Sequence, residues 1–158
     1  MPVNIRHLTS EEVPLMEALL SMFGEAFNEV KTYTAKRPSE DYLHRLLGGD
    51  TFIALAAIKE NEVIGGIAAY ELKKFEQERS EIYIYDLAVA AGHRREGVAT
   101  ALIEKLKQIA AKRGAYVIFV QADTNEEDEP AIALYTKLGT CEDVLHFDIS
   151  VHEGEANN

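Results

Sequence analysis

Residues 86–103 read DLAVAAGHRREGVATALI. An apolar strand runs into a short basic turn, and the turn opens an amphipathic helix. The first N–H groups of such a helix lack intrahelical partners and are available to an anion. Arg94 and Arg95 in the turn favour a phosphate, which guanidinium groups bind through paired donors. Gly97 and Ala99 are small, so a pyrophosphate can approach the backbone closely. The alternative is a basic loop whose arginines pair with surface acids.

Working outward, Val3–His7 reads as a first strand. Thr9 and Glu12 have the spacing of a capping box, and Val13, Met16, Leu20, Phe23, Phe27 and Val30 follow at helical steps of three and four. Residues 31–38 read as a polar link. Ser39 is placed to cap a second helix through Leu47, with Gly48 and Gly49 as its stop. The apolar runs Thr51–Lys59 and Val63–Leu72 flank Glu60-Asn61-Glu62, the pattern of an antiparallel hairpin. Ser80–Val89 is a third long strand. The helix opened by Gly97 runs to Lys112, with Gly114 as its stop. Tyr116–Ala122 reads as a buried strand, 123–129 as an acidic loop, Pro130–Leu138 as a helix and Leu145–Val151 as a last strand. This order predicts a single α/β (α+β) domain over residues 1–151, with 152–158 as a polar tail.

The chain has 158 residues, enough for one domain with a sizeable core. No apolar run reaches bilayer length, and no N-terminal stretch reads as a signal peptide. Cys141 is the one cysteine, so neither an internal disulfide nor a cysteine-based metal site is expected. His7, His44, His93, His146 and His152 lack metal-ligand spacing, so no metal is expected. These absences favour a cytoplasmic location as the expectation. The net charge of −11 argues against a nucleic acid partner and is compatible with a cationic one.

A second segment, PAIALYTKLG (130–139), stands with the turn motif Arg94-x-x-Gly97-x-Ala99. Together, in this order and in these elements, they resemble the GNAT superfamily of N-acetyltransferases. The resemblance implies that superfamily's fold: a mixed, mostly antiparallel central sheet with a splayed parallel strand pair, flanked by about four helices. It implies acetyl-CoA as cofactor. The backbone of Leu87, Ala88 and Val89 would pair with the pantetheine arm, and Arg94, Arg95, Glu96, Gly97, Val98, Ala99 and Thr100 would hold the pyrophosphate. Asp128 stands where the superfamily often has Asn, so no CoA contact is carried over to it.

A closer resemblance covers nearly the whole chain. TFIALAA (51–57), KFEQERSEIYIYDLAV (74–89), AYVIFVQAD (115–123), ALYTKLG (133–139) and HFDI (146–149) are similar to the type I aminoglycoside 3-N-acetyltransferases. That group acetylates the 3-amino group of the deoxystreptamine ring of gentamicin-class antibiotics and so gives resistance. The resemblance also implies a homodimer, with the apolar hairpin or the last strand as interface. The loop 124–129 is longer and more acidic than expected for the group.

The residues themselves agree with a polycationic acceptor. Glu76, Asp123, Glu126 and Asp148 are candidate contacts for its ammonium groups, against the alternative of solvated surface acids. Asp86 interrupts an apolar strand, where an unpaired carboxylate would cost several kcal/mol. It needs either an internal hydrogen bond or the substrate amine. Asp86 is the first candidate for base or amine-orienting group. Glu81 is the second, with a salt bridge to a neighbour such as Arg79 as its alternative. A backbone N–H near Leu87 or Val89 would stabilise the developing oxyanion. Tyr135 matches the position where the superfamily commonly keeps its general acid; its alternative is a packed helix tyrosine. Two other functions stay open: acetylation of a polyamine, which the acidic surface fits just as well, or of a peptide amine, and non-catalytic acyl-CoA binding.

Overall fold

The hairpin is closed by Glu60 and Asn61, both left-handed at φ 52° and 66°. Two such residues in succession make a turn whose twist matches that of the paired strands. In the computed structural model, which describes residues 2–152, that hairpin is β2 (Phe52–Lys59) and β3 (Glu62–Lys73). β1 (Asn4–His7) pairs antiparallel with β2, and β4 (Ser80–Val89) pairs antiparallel with β3. β5 (Ala115–Val120) lies parallel to β4, giving the order β1-β2-β3-β4-β5. The mixed sheet with one parallel pair is the predicted fold class.

Helices cover both faces of the sheet. Gly65 and Gly66 show this within one dipeptide. A Cβ on Gly65 would meet Val98 and Leu102 of α4 (Val98–Arg113), at 3.1 and 3.5 Å. A Cβ on Gly66 would strike Leu19 of α1 (Val13–Ala26). Strands buried on both faces read as continuous apolar runs rather than alternating ones, which is why TFIALAAIK lacks a polar face. α3 (Glu40–Gly48) joins α1 on its side, where Leu43 and Leu47 pack with Met16, Leu19 and Phe23.

The capping signals are present as expected. Thr9 and Glu12 form the reciprocal box, here at a 3-10 turn leading into α1. The Ser39 hydroxyl accepts the Tyr42 N–H at 3.1 Å. Gly97 and Gly114, both near φ 80°, bracket α4. At the foot of β4, the buried Glu71 carboxylate accepts from Ser80 Oγ at 2.6 Å and from Arg113 Nε at 2.7 Å, tying α4 to β3 and β4.

Four expectations need correction. The first helix stops at Ala26, because Asn28 turns left-handed at φ 55° and reverses the chain. Val30 therefore lies outside that helix. It opens α2 (Val30–Thr34), a short helix in the stretch read as a polar link. β5 is less buried than its composition predicts: Tyr116 and Val117 are exposed. Residues 145–151 form no strand. Their apolar alternation is real, but a strand also needs a ladder partner, and Leu145, Phe147, Ile149 and Val151 stand exposed. Of the polar tail, residues 153–158 lie outside the described part.

By its contacts the chain divides into two compact units, Met1–Gln121 and Ala122–Asn158. The second holds a 3-10 turn at Glu126–Asp128 and α5 (Glu129–Leu138), started by Pro130 and stopped at Gly139. No helix among the described residues is long and apolar enough to cross a membrane.

Candidate active site

β4 and β5 pair only as far as Ile84↔Val120, whereas β4 continues to Val89 along β3. The parallel pair thus splays, and on the β5 side Leu87, Ala88 and Val89 make no ladder bonds among the described residues. The register of β3 against β4 slips just before the splay. Ala68 faces Asp86 and Ala69 faces Ile84, leaving Tyr85 as an extra residue. A bulge re-aims side chains. Tyr85 and Asp86, adjacent in sequence, both line one cavity instead of pointing to opposite faces.

That cavity has a volume of about 250 Å³. Its walls include Tyr33, Tyr42, Tyr70 and Tyr85 together with Phe23 and Phe52, and Asp86 is the one carboxylate among the described residues that line it. The rings brace one another: Phe52 lies 5.3 Å from Tyr70, and Tyr70 meets Tyr85 edge-on at 6.0 Å. Tyrosine faces attract ammonium groups, and a carboxylate accepts their protons. An aromatic wall with a carboxylate in it can hold an organic cation. Asp86 has the internal partner that one alternative required: Tyr33 Oη donates to Asp86 Oδ2 at 2.9 Å. Burial raises the Asp86 pKa, Tyr33 opposes that rise, and the Glu29 carboxylate adds to it. Composition alone did not single out these tyrosines. For Tyr85 alone among them the alternation IYIY (82–85) was an available signal, since it separates an isoleucine face from a tyrosine face.

Beyond the splayed edge the chain turns through Arg94, which is extended, and Arg95, left-handed at φ 65°. Gly97 follows at φ 80°, and a Cβ there would meet nothing within 4 Å. The first capping bond of α4 runs from Ala101 N–H to Gly97 O at 3.0 Å. The N–H groups of Val98, Ala99 and Thr100 precede it and have no helical acceptor. Arg95 is exposed, and Arg94 Nε reaches back to Val89 O at 3.3 Å. The Glu96 carboxylate is taken up by His93 at 3.3 Å and Lys59 at 3.5 Å. This open cradle of backbone donors with two guanidinium groups fits a pyrophosphate.

Other candidates fall elsewhere. Glu81 does not line the tyrosine cavity. It accepts from Tyr116 Oη at 2.6 Å and Lys74 Nζ at 3.4 Å, which hold it below the ordinary carboxylate range. Its partners are thus Tyr116 and Lys74 rather than a bridge to Arg79, whose guanidinium stacks over the Tyr116 ring at 3.7 Å. Glu76 pairs with Lys74 at 3.5 Å. In the second unit Asp123 and Glu126 are exposed, and Asp148 bonds His146 at 2.9 Å. Tyr135, on α5, is part-buried; burial and the Asp128 carboxylate raise its pKa. Among the described residues no group of three or more His, Cys, Asp or Glu side chains is arranged to hold a metal ion.

The acetyltransferase (GNAT) family model matches residues 15–140. Among solved structures, an aminoglycoside acetyltransferase, HMB0005, from an uncultured soil metagenomic sample is 68% identical. Its TM-score is 0.95, and the match covers 96% of this chain and 100% of that one. A second metagenomic aminoglycoside acetyltransferase, meta-AAC0020, solved with sisomicin, is 28% identical over 95% of this chain and 97% of its own, at TM-score 0.85. Rat N-acetyltransferase 8F1 is 29% identical over 79 residues, 50% of this chain. This chain covers about a third of that relative's length, 35%.

Proposed function

The chain belongs to the acetyltransferase (GNAT) family, and from that premise we propose that it acetylates the 3-amino group of the deoxystreptamine ring of gentamicin-class aminoglycosides. The observation that carries this reading is Asp86. A single carboxylate sits in a tyrosine-walled cavity, on the strand whose free edge leads into the pyrophosphate cradle. The likeness to two aminoglycoside acetyltransferases supports the acceptor class. We read residues 1–151 as one domain, since the family match runs through both units.

Acetyl-CoA, the family's cofactor, supplies an acetyl thioester when bound. Arg94, Arg95 and the N–H groups of Val98, Ala99 and Thr100 would hold its pyrophosphate, with Gly97 leaving room for close approach. Glu96 would contribute its backbone only, because its carboxylate is engaged. The β4 edge at Leu87, Ala88 and Val89, which lacks a β5 partner, would orient the pantetheine arm as a pseudo-strand, with Val89 O shared with Arg94 Nε. Asp86 would take the proton that an ammonium group must lose before its nitrogen can attack. Its engaged partners make Glu81 the weaker candidate for that proton. Tyr135, kept protonated by its raised pKa, would give a proton to the departing sulfur. Asp123 and Glu126 would meet further ammonium groups of the acceptor, with Glu76 and Asp148 shared between the acceptor and the basic partners they already have.

The reaction would inactivate the drug where acetyl-CoA is available, in the cytoplasm, and so give resistance. A homodimer would cover the exposed run Leu145, Phe147, Ile149 and Val151; a monomer by light scattering at working concentration would overturn that part. The direct test is release of CoA thiol from acetyl-CoA with gentamicin and with spermidine. Gentamicin-dependent turnover is expected. Turnover with spermidine alone would move the acceptor class to polyamines, and CoA binding without turnover on any amine would make the chain a binding module.

A further inference from the structure

We infer that Tyr33 is a positioning residue for Asp86, fixing which carboxylate oxygen receives the acceptor's proton. This rests on the reading of Asp86 as the base. Tyr33 lies on α2, in a stretch whose composition reads only as a polar link. Its hydroxyl donates to Asp86 Oδ2, with the two oxygens 2.9 Å apart. Among the described residues this is the one side-chain hydrogen bond to Asp86. Holding Oδ2 leaves Oδ1 for the amine, so the N–H bond that breaks on the acceptor becomes an O–H bond at Oδ1, and the nitrogen keeps its electron pair for attack.

The fold fixes Tyr33 at its backbone and at its ring. The ring packs against Phe23 at 6.1 Å and Phe27 at 5.9 Å. Beneath it, α1 and α2 approach so closely that a Cβ on Gly24 would lie 3.2 Å from Val30 Cα and 3.3 Å from Tyr33 Cβ. The Glu29 N–H closes the turn onto Gly24 O at 2.7 Å. A phenol held this firmly delivers its hydrogen bond with little freedom to turn away.

The sign of its effect follows from what a donor does. A hydrogen bond to the charged carboxylate favours ionisation, against burial and against Glu29. The other titratable groups facing Asp86 are Tyr42 on α3, Tyr70 on β3, and Tyr83 and Tyr85 on its own strand. Burial holds Tyr70 and Tyr83 above the ordinary phenol range, so neither supplies a competing charge near neutral pH.

The test is Tyr33→Phe, which removes only the oxygen. The Asp86 carboxyl is titrated by carbon NMR, and kcat/KM for the acceptor is followed against pH. The titration midpoint and the acid limb of the rate should rise together by about one pH unit. That is roughly a tenfold loss of kcat/KM on the acid side, with convergence toward the unsubstituted protein at high pH. Gly24→Ala, which keeps the phenol but crowds its Cβ, should move both in the same direction by less. A midpoint unchanged in both variants overturns the positioning role. A midpoint that moves while the acid limb stays in place overturns instead the assignment of Asp86 as base.

Discussion

Asp86 is an expensive residue to place in an apolar strand, and the bulge at Tyr85 is what makes its position usable. The slip turns the carboxylate into the tyrosine cavity, where the Tyr33 hydroxyl offsets part of its desolvation. Asp86→Asn keeps the shape and removes the proposed base. It should lower kcat/KM for acetyl transfer by an order of magnitude or more, measured by thiol release. Turnover close to that of the unsubstituted protein across pH would remove Asp86 from the chemistry. Tyr135→Phe should slow transfer while acetyl-CoA affinity, measured by calorimetry, stays the same; an unchanged rate would leave Tyr135 a packing residue. Sequence reading reached Asp86 because a lone acid breaks an apolar run. It left open whether an internal partner exists, and Tyr33 could not be named. A hydrogen bond between residues 53 positions apart depends on how α2 returns over β4, and local pattern does not encode that.

Among the elements, β3 carries the tightest requirement. Gly65 and Gly66 let α4 and α1 approach its two faces, and a methyl group on Gly66 would sit 2.7 Å from Leu55 O as well as against Leu19. Gly66→Ala should therefore destabilise the fold by about 1–3 kcal/mol, the usual cost of overpacking a dense core. A thermal melt should show a Tm lower by several degrees; an unchanged Tm would mean that α1 yields without cost. Hairpin, capping box, Ser39 cap and the glycines around α4 were all legible, because each is written in residues close together in the chain. Three features were not. Asn28 ends α1 early through a left-handed turn that helical periodicity ignores. The bulge depends on register with β3. Residues 145–151 have the alternation of a strand, but alternation specifies a face and not a partner.

At the scale of the molecule, charge is the leading physical term. A net charge of −11 attracts a polycation and repels an anion over a distance set by salt. Between about 0.01 and 0.15 M ionic strength the screening length falls from about 30 to about 8 Å. Over that range KM for an aminoglycoside should rise several-fold with kcat nearly constant. A KM independent of salt would confine the attraction to Asp86 and its cavity. The family was legible because its two motifs lie at chain-local sites, the turn after β4 and the helix α5. The cavity proposed for the acceptor is assembled from α1, α2, α3, β2, β3 and β4, elements distant in the chain, so local pattern does not encode it. The most direct measurement is therefore NMR of the product formed from gentamicin and acetyl-CoA. The account predicts a single acetyl group on the 3-amino nitrogen of the deoxystreptamine ring; acetylation at another amine, or no acetylated gentamicin at all, would contradict it.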